Sequence, residues 1–214
     1  MRASDTVARV LETRIVAVVR APSADVVLDV CKALADGGVD VLEITFTVPD
    51  ALDLIRQVRD ELGDRIVLGA GTVLDPETCR AAILAGAEFI VSPTLNLDLI
   101  RLCRRYDKAV MPGAFTPTEI LTAWEAGADI VKVFPADVGG PGYFKAIRGP
   151  LPQIRLMPTG GVNLDTAQAF LDAGACALGA GGSLVPKDAI QAGDMARITA
   201  LAKQFVAIAK RDSE

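Results

Sequence analysis

The segment Ile130-Val131-Lys132-Val133-Phe134-Pro135-Ala136 is the stretch from which the fold can be read. Its β-branched residues run up to the Gly/Pro-rich turn Gly139-Gly140-Pro141-Gly142, the pattern of a β-strand, and a lysine stands at its centre. A strand of a parallel sheet is covered on both faces, so an ammonium group there costs several kcal/mol unless it is paired or loses its proton. Two readings of Lys132 follow. Its stem could be buried while its head reaches water at the strand end. Alternatively it is a neutral amine of depressed pKa, able to attack a carbonyl carbon and form a Schiff base.

Outward from this strand the chain repeats. Apolar or β-branched runs recur at Ile15 to Val19, Val39 to Phe46, Ile66 to Val73, Phe89 to Ser92, Ala109 to Pro112, Ile130 to Phe134, Arg155 to Pro158 and Ala177 to Gly179. Between them lie segments of helical spacing. Several end in glycine, at Gly37-Gly38, Gly86, Gly127 and Gly174, where a helix would stop and the next strand begin. Eight strands alternating with helices predict an α/β fold, a compact (β/α)8 TIM barrel. A doubly wound open sheet would more often carry a Gly-rich fingerprint after its first strand, and Arg20-Ala21-Pro22-Ser23 is not one. A first helix fits Asp5 to Glu12, capped by Ser4 or Asp5, and a last one Asp194 to Lys210, both packed on the body. With 214 residues, the chain is expected to form a single domain over 1–214.

Composition narrows the chemistry. A net charge of −5 argues against nucleic acid or an anionic membrane as partner, so any anion site must be local. The chain has no histidine, which removes Ser-His-Asp and Cys-His nucleophile systems and disfavours a catalytic zinc; no metal and no cofactor are expected. Cys31, Cys79, Cys103 and Cys176 lack metal-ligand spacing and read as small buried hydrophobes. Residues 1–10 lack the apolar core of a signal peptide and no apolar run is long enough to span a bilayer, so a soluble, cytoplasmic protein is expected.

Barrel enzymes place chemistry at the C-terminal ends of their strands. Those ends hold Arg20, Glu43 with Thr45 and Thr47, Thr72 after Gly69-Ala70-Gly71, Ser92-Pro93, Lys132 with Phe134, Thr159-Gly160-Gly161, and Gly181-Gly182-Ser183. Glu43, among Val41, Leu42, Ile44 and Phe46, is either ion-paired to Arg20 or Lys132, or a carboxyl of raised pKa able to shuttle protons. The two glycine pairs suit backbone N–H groups that cradle a phosphate, although tight turns use glycine too. Thr72 and Thr159 could cap the helices that follow them. Asp75-Pro76-Glu77 and Thr116-Pro117-Thr118-Glu119 read as helix starts, and Trp124 as packing.

Taken in order, Val41-Leu42-Glu43-Ile44-Thr45, Gly69-Ala70-Gly71-Thr72, Ile90-Val91-Ser92-Pro93, Met111-Pro112-Gly113, Val131-Lys132-Val133-Phe134-Pro135 and Pro158-Thr159-Gly160-Gly161-Val162 resemble the 2-keto-3-deoxy-6-phosphogluconate (KDPG) and 4-hydroxy-2-oxoglutarate (KHG) aldolase family. With the strand ends on either side they cover nearly the whole chain. The resemblance implies a metal-independent class I aldolase, with Lys132 as Schiff-base lysine and Glu43 as general acid/base. It also implies Thr72, Pro93, Phe134 and Thr159 around the keto acid, and Gly160, Gly161, Gly181, Gly182 and Ser183 around the phosphate. Family members are typically cytoplasmic homotrimers. The expected reaction is cleavage of KDPG to pyruvate and glyceraldehyde 3-phosphate. The alternatives are the same chemistry on KHG or the galactonate epimer, or a non-catalytic or engineered assembly subunit that retains the fold. Many relatives carry arginine where this chain has Thr47, so the substrate carboxylate is expected at Arg20 or Thr47.

Overall fold

A computed structural model describes residues 1–210; the last four positions of the expected domain, 211–214, lie outside the described residues. Nine short strands are present among the described residues: β1 (Ile15–Val19), β2 (Val41–Thr45), β3 (Val67–Gly71), β4 (Phe89–Val91), β5 (Ala109–Met111), β6 (Gly113–Ala114), β7 (Val131–Val133), β8 (Leu156–Pro158) and β9 (Leu178–Ala180). Helices α1 (Ala3–Thr13), α2 (Val27–Asp36), α3 (Ala51–Leu62), α4 (Pro76–Ala85) and α5 (Leu97–Arg105) lie in the first half. The second half holds α6 (Pro117–Glu125), α7 (Gly140–Arg148), α8 (Ala167–Asp172), α9 (Lys187–Ala192) and α10 (Met195–Ala209).

All strand pairs are parallel. Six strands run in the order β5-β4-β3-β2-β1-β9 and three in the order β6-β7-β8, with one isolated bridge between Thr159 and Gly179. Chain neighbours from β1 to β5 are thus also sheet neighbours, unlike the reversal that defines a doubly wound sheet. The expected fifth strand, Ala109 to Pro112, ends one residue early, and a further short strand, β6, follows it. Pro112 has no N–H to give a ladder, so β5 stops at Met111 and pairing resumes from Gly113 against β7.

Alternation along each strand sorts the side chains into two cores. Leu42 and Ile44 of β2, and Val131 and Val133 of β7, pack toward the helices together with Phe144, Phe170 and Phe205. Val16, Val41, Phe89, Met111 and Met157 face the other way and form a second cluster, to which α1 adds Ala3, Val7 and Val10. Helix α1 thereby covers one end of the interior.

Local signals behave as their chemistry predicts. Thr116 and Glu119 form a reciprocal capping box ahead of Pro117, and Asp75 accepts from the Thr78 N–H at 2.7 Å. The last helix begins one residue after Asp194, whose carboxylate accepts from Arg197 N–H. Helix α1 starts earlier than expected, at Ala3, which leaves Ser4 and Asp5 inside the first turn and without a capping role. Cys31, Cys79 and Cys103 are buried free thiols and Cys176 is half-buried. Trp124 packs on the helix-side core. Among the described residues no helix is long and apolar enough to cross a membrane.

Candidate active site

Because Leu42 and Ile44 turn toward the helices, Glu43 between them must turn inward, and the same alternation turns Lys132 inward between Val131 and Val133. Glu43 is 1% exposed and Lys132 2%. Room for the carboxylate is made by a missing side chain: a Cβ on Gly71, in the neighbouring strand β3, would stand 2.7 Å from Glu43 Oε1. Neither Glu43 oxygen has a hydrogen-bond partner, and among the described residues no ion pair joins Glu43 to Lys132 or Arg20. The static salt bridge considered for Glu43 is therefore not formed. Lys132 Nζ lies 5.3 Å from the centroid of the Phe134 ring.

Two opposite ionisable groups share a low-dielectric interior, and burial acts on both. It pushes the Glu43 carboxyl up from its ordinary value, against the opposing pull of Lys132 and Arg20. It pushes the Lys132 amine down; Glu43 opposes that shift and Arg20 reinforces it. Each group is driven toward its neutral form, which for the amine is the nucleophilic one and for the carboxyl the proton-donating one.

A cavity of about 290 Å³ opens at the ends of the strands, and neither Lys132 nor Glu43 is part of its lining. Arg20, Phe134 and Thr159 line it, and so do all five expected glycine and serine positions, Gly160, Gly161, Gly181, Gly182 and Ser183. Two turns of very different sequence position converge here because β8 and β9 meet at the Thr159–Gly179 bridge; a Cβ on Gly179 would come within 2.3 Å of Thr159 Oγ1. Thr159 Oγ1 is buried without a partner. Ser183 Oγ donates to the Val162 carbonyl at 2.5 Å, so its proton is already committed.

Three expected residues lie elsewhere. Thr47 lines a separate cavity of about 360 Å³ with Lys187 and Gln191, and only Arg20 belongs to both cavities. Thr45 Oγ1 lies 3.2 Å from the Val19 carbonyl and 2.7 Å from Thr47 Oγ1, so the Thr47 hydroxyl is engaged with Thr45. Thr72 and Pro93 sit outside the first cavity. Thr72 is half-buried at φ 58, a left-handed conformation that strains a β-branched residue, and the Pro93 carbonyl packs where Gly113 has no side chain. Asn163, on the cavity wall, was not anticipated. In the sequence it follows the glycine pair and reads only as a turn residue.

A family model for KDPG and KHG aldolase matches residues 7–201. The chain belongs to the KDPG and KHG aldolase family. It is 37% identical over 201 residues to the 2-dehydro-3-deoxy-phosphogluconate aldolase of Pseudomonas aeruginosa, covering 94% of this chain and 90% of that one. With the KHG/KDPG aldolase of Escherichia coli K12 it shares 39% identity over 180 residues, 84% of each chain. A solved KDPG aldolase from Legionella pneumophila, with pyruvate captured as a covalent carbinolamine intermediate, superposes with a TM-score of 0.86 at 29% identity, covering 92% of this chain and 96% of that one. The family is thus established by sequence along the same stretches that build the buried pair and the glycine-lined cavity.

Proposed function

We propose that the protein is a class I aldolase that cleaves KDPG to pyruvate and glyceraldehyde 3-phosphate. The observation that carries this reading is the buried Lys132–Glu43 pair, in which neither Glu43 oxygen has a hydrogen-bond partner, no ion pair joins the two groups among the described residues, and each is driven toward its neutral form. The Lys132 amine attacks the C2 ketone to give a carbinolamine. Protonated Glu43, through a water molecule, supplies the proton with which the carbinolamine hydroxyl leaves as water, and an iminium remains. Glu43, now a carboxylate, takes the C4 hydroxyl proton by the same route as the C3–C4 bond breaks and its electron pair moves into the iminium. Glyceraldehyde 3-phosphate departs. Protonation of the enamine at C3 and hydrolysis of the iminium release pyruvate and restore the amine.

The phosphate of the substrate is assigned to the backbone N–H groups at Gly160, Gly161, Gly181 and Gly182, since the Ser183 hydroxyl proton is committed to Val162. Phe134 and Thr159 flank the keto acid, and Arg20, rather than Thr47, supplies the cation for the carboxylate; Thr72 and Pro93, which do not line the glycine-rich cavity, are assigned to the keto acid from the family resemblance alone. The reading further takes the two sheets as one closed (β/α)8 barrel of a single domain: only Pro112 separates β5 from β6, and the Thr159–Gly179 bridge joins β8 to β9. A cytoplasmic homotrimer is proposed from the family resemblance.

Borohydride reduction in the presence of pyruvate tests the reaction class. A stable adduct on Lys132 is expected, and recovery of unmodified Lys132 with pyruvate bound would refute it. The double name of the Escherichia coli relative favours a second substrate, KHG. Rates of pyruvate release from KDPG, KHG and the phosphogalactonate epimer rank the three.

A further inference from the structure

Asn163 lines the glycine-rich cavity, half-buried, between Val162 and the turn that leads into α8. Its side-chain oxygen accepts two backbone hydrogen bonds, from Asp165 N–H at 2.9 Å and Thr166 N–H at 3.0 Å. Those two donors fix which way the carboxamide faces, because the reversed group would set its own N–H bonds against them. The oxygen is therefore spent on the turn, and the Nδ2 amide of this half-buried side chain makes no hydrogen bond to any of the described residues.

The neighbouring side chains make this surplus informative. Ser183 has committed its proton to Val162, so the side-chain donors left on the cavity wall are Arg20, Thr159 and Asn163. Arg20 would act on any anionic substrate, and Thr159 lies at the strand end beneath the glycines. Asn163 follows Gly160-Gly161-Val162 directly and is the side-chain donor built into the same turn as that glycine pair.

Resting on the aldolase reading, we infer that Asn163 is a specificity residue: its amide N–H groups bind the substrate phosphate and give phosphorylated keto acids their advantage over unphosphorylated ones. The competing role is purely architectural, the stabilisation of a turn by an asparagine oxygen. Aspartate serves such turns equally well, because the bond to the backbone is made by an oxygen that both residues possess. Asn163→Asp therefore separates the two roles. It keeps both backbone hydrogen bonds and replaces two donors with a negative oxygen facing the anion.

In the purified full chain, Asn163→Asp is expected to keep the wild-type Tm to within about 3 °C, a shift of roughly 1 kcal/mol for a chain of this size. Its affinity for inorganic phosphate, measured by calorimetric titration, falls by about tenfold or more, and kcat/KM for KDPG falls by about 10- to 100-fold, the range for a lost hydrogen bond to a charged group. The kcat/KM for KHG, which has no phosphate but carries a second carboxylate, falls by a smaller factor than that for KDPG. Asn163→Ser, which retains an oxygen for the turn and withdraws the amide, gives the same selectivity with a smaller loss. Unchanged phosphate affinity, or equal losses on both substrates, overturns the assignment. A wild-type protein that forms no pyruvate adduct would refute the aldolase reading, while the phosphate titration would still decide the role of Asn163.

Discussion

Replacing Lys132 by methionine separates what the buried amine does for the reaction from what it costs the fold. The side chain is 2% exposed, has no carboxylate within ion-pair distance among the described residues, and has its pKa driven down chiefly by burial. Methionine fills similar space without a charge. Exchanging buried ionic groups for apolar ones of like volume stabilises proteins by about 1–4 kcal/mol, and in a domain of this length each kcal/mol is worth roughly 2–4 °C in Tm. Lys132→Met is therefore expected to melt several degrees above wild type at pH 7, while pyruvate release falls by ~10⁴-fold or more with the nucleophile gone.

The pH dependence makes the prediction stricter. An unfolded lysine titrates near 10.4 and the folded Lys132 below that, so between the two values the unfolded wild-type chain holds more protons than the folded one. Wild-type stability then rises with pH through this window, by at most about 1.4 kcal/mol per pH unit. The variant lacks that contribution. Its Glu43 also loses the coulombic pull of Lys132 and shifts further toward the acid form, which makes the variant less stable as pH rises. Both effects have one sign: the stability gap is widest at low pH and closes toward pH 10. Denaturant unfolding of the two proteins at pH 7, 8, 9 and 10 measures it, and a gap that is constant or widens with pH would refute a neutral, desolvated amine at position 132.

Glu43→Gln keeps the shape and removes the titrating proton; borohydride trapping with pyruvate should go to completion more slowly than in the wild type, because iminium formation loses its proton donor, and steady-state cleavage should fall by about 10²- to 10⁴-fold, the usual share of a general acid/base. Gly71→Ala puts a methyl group 2.7 Å from Glu43 Oε1, so the chain should fold with a loss of about 1–3 kcal/mol by thermal melt, and kcat should fall far more than substrate affinity. Wild-type kcat in Gly71→Ala would mean that the carboxylate's position is not critical.

Much of this protein was legible from residue order. The β-branched runs fixed the strands, Thr116-Pro117-Thr118-Glu119 and Asp75-Pro76 fixed helix starts, and a charge in the middle of a buried pattern marked both Lys132 and Glu43. These signals are local: a period of two, a cap and a turn glycine act within a few residues and need no partner from elsewhere in the chain. Less visible was the end of β5, where Pro112 broke the ladder within an otherwise apolar run.

What residue order could not decide was which strand ends would share a cavity. Thr47 stands at a strand end as Thr159 does, yet its hydroxyl is held by Thr45 and faces a different cavity, whereas Asn163, unremarkable in sequence, has a carboxamide aimed by two backbone N–H groups. The Lys132–Glu43 pair likewise exists only because β2 and β7, some ninety residues apart, turn their middle residues into one interior beside a glycine that leaves space for the carboxylate. Residue types and periodicity name the groups able to do chemistry. Which of them keep free donors, lose their water or meet one another is set by packing across the sheet, because desolvation and hydrogen-bond competition depend on neighbours that only the folded chain brings together.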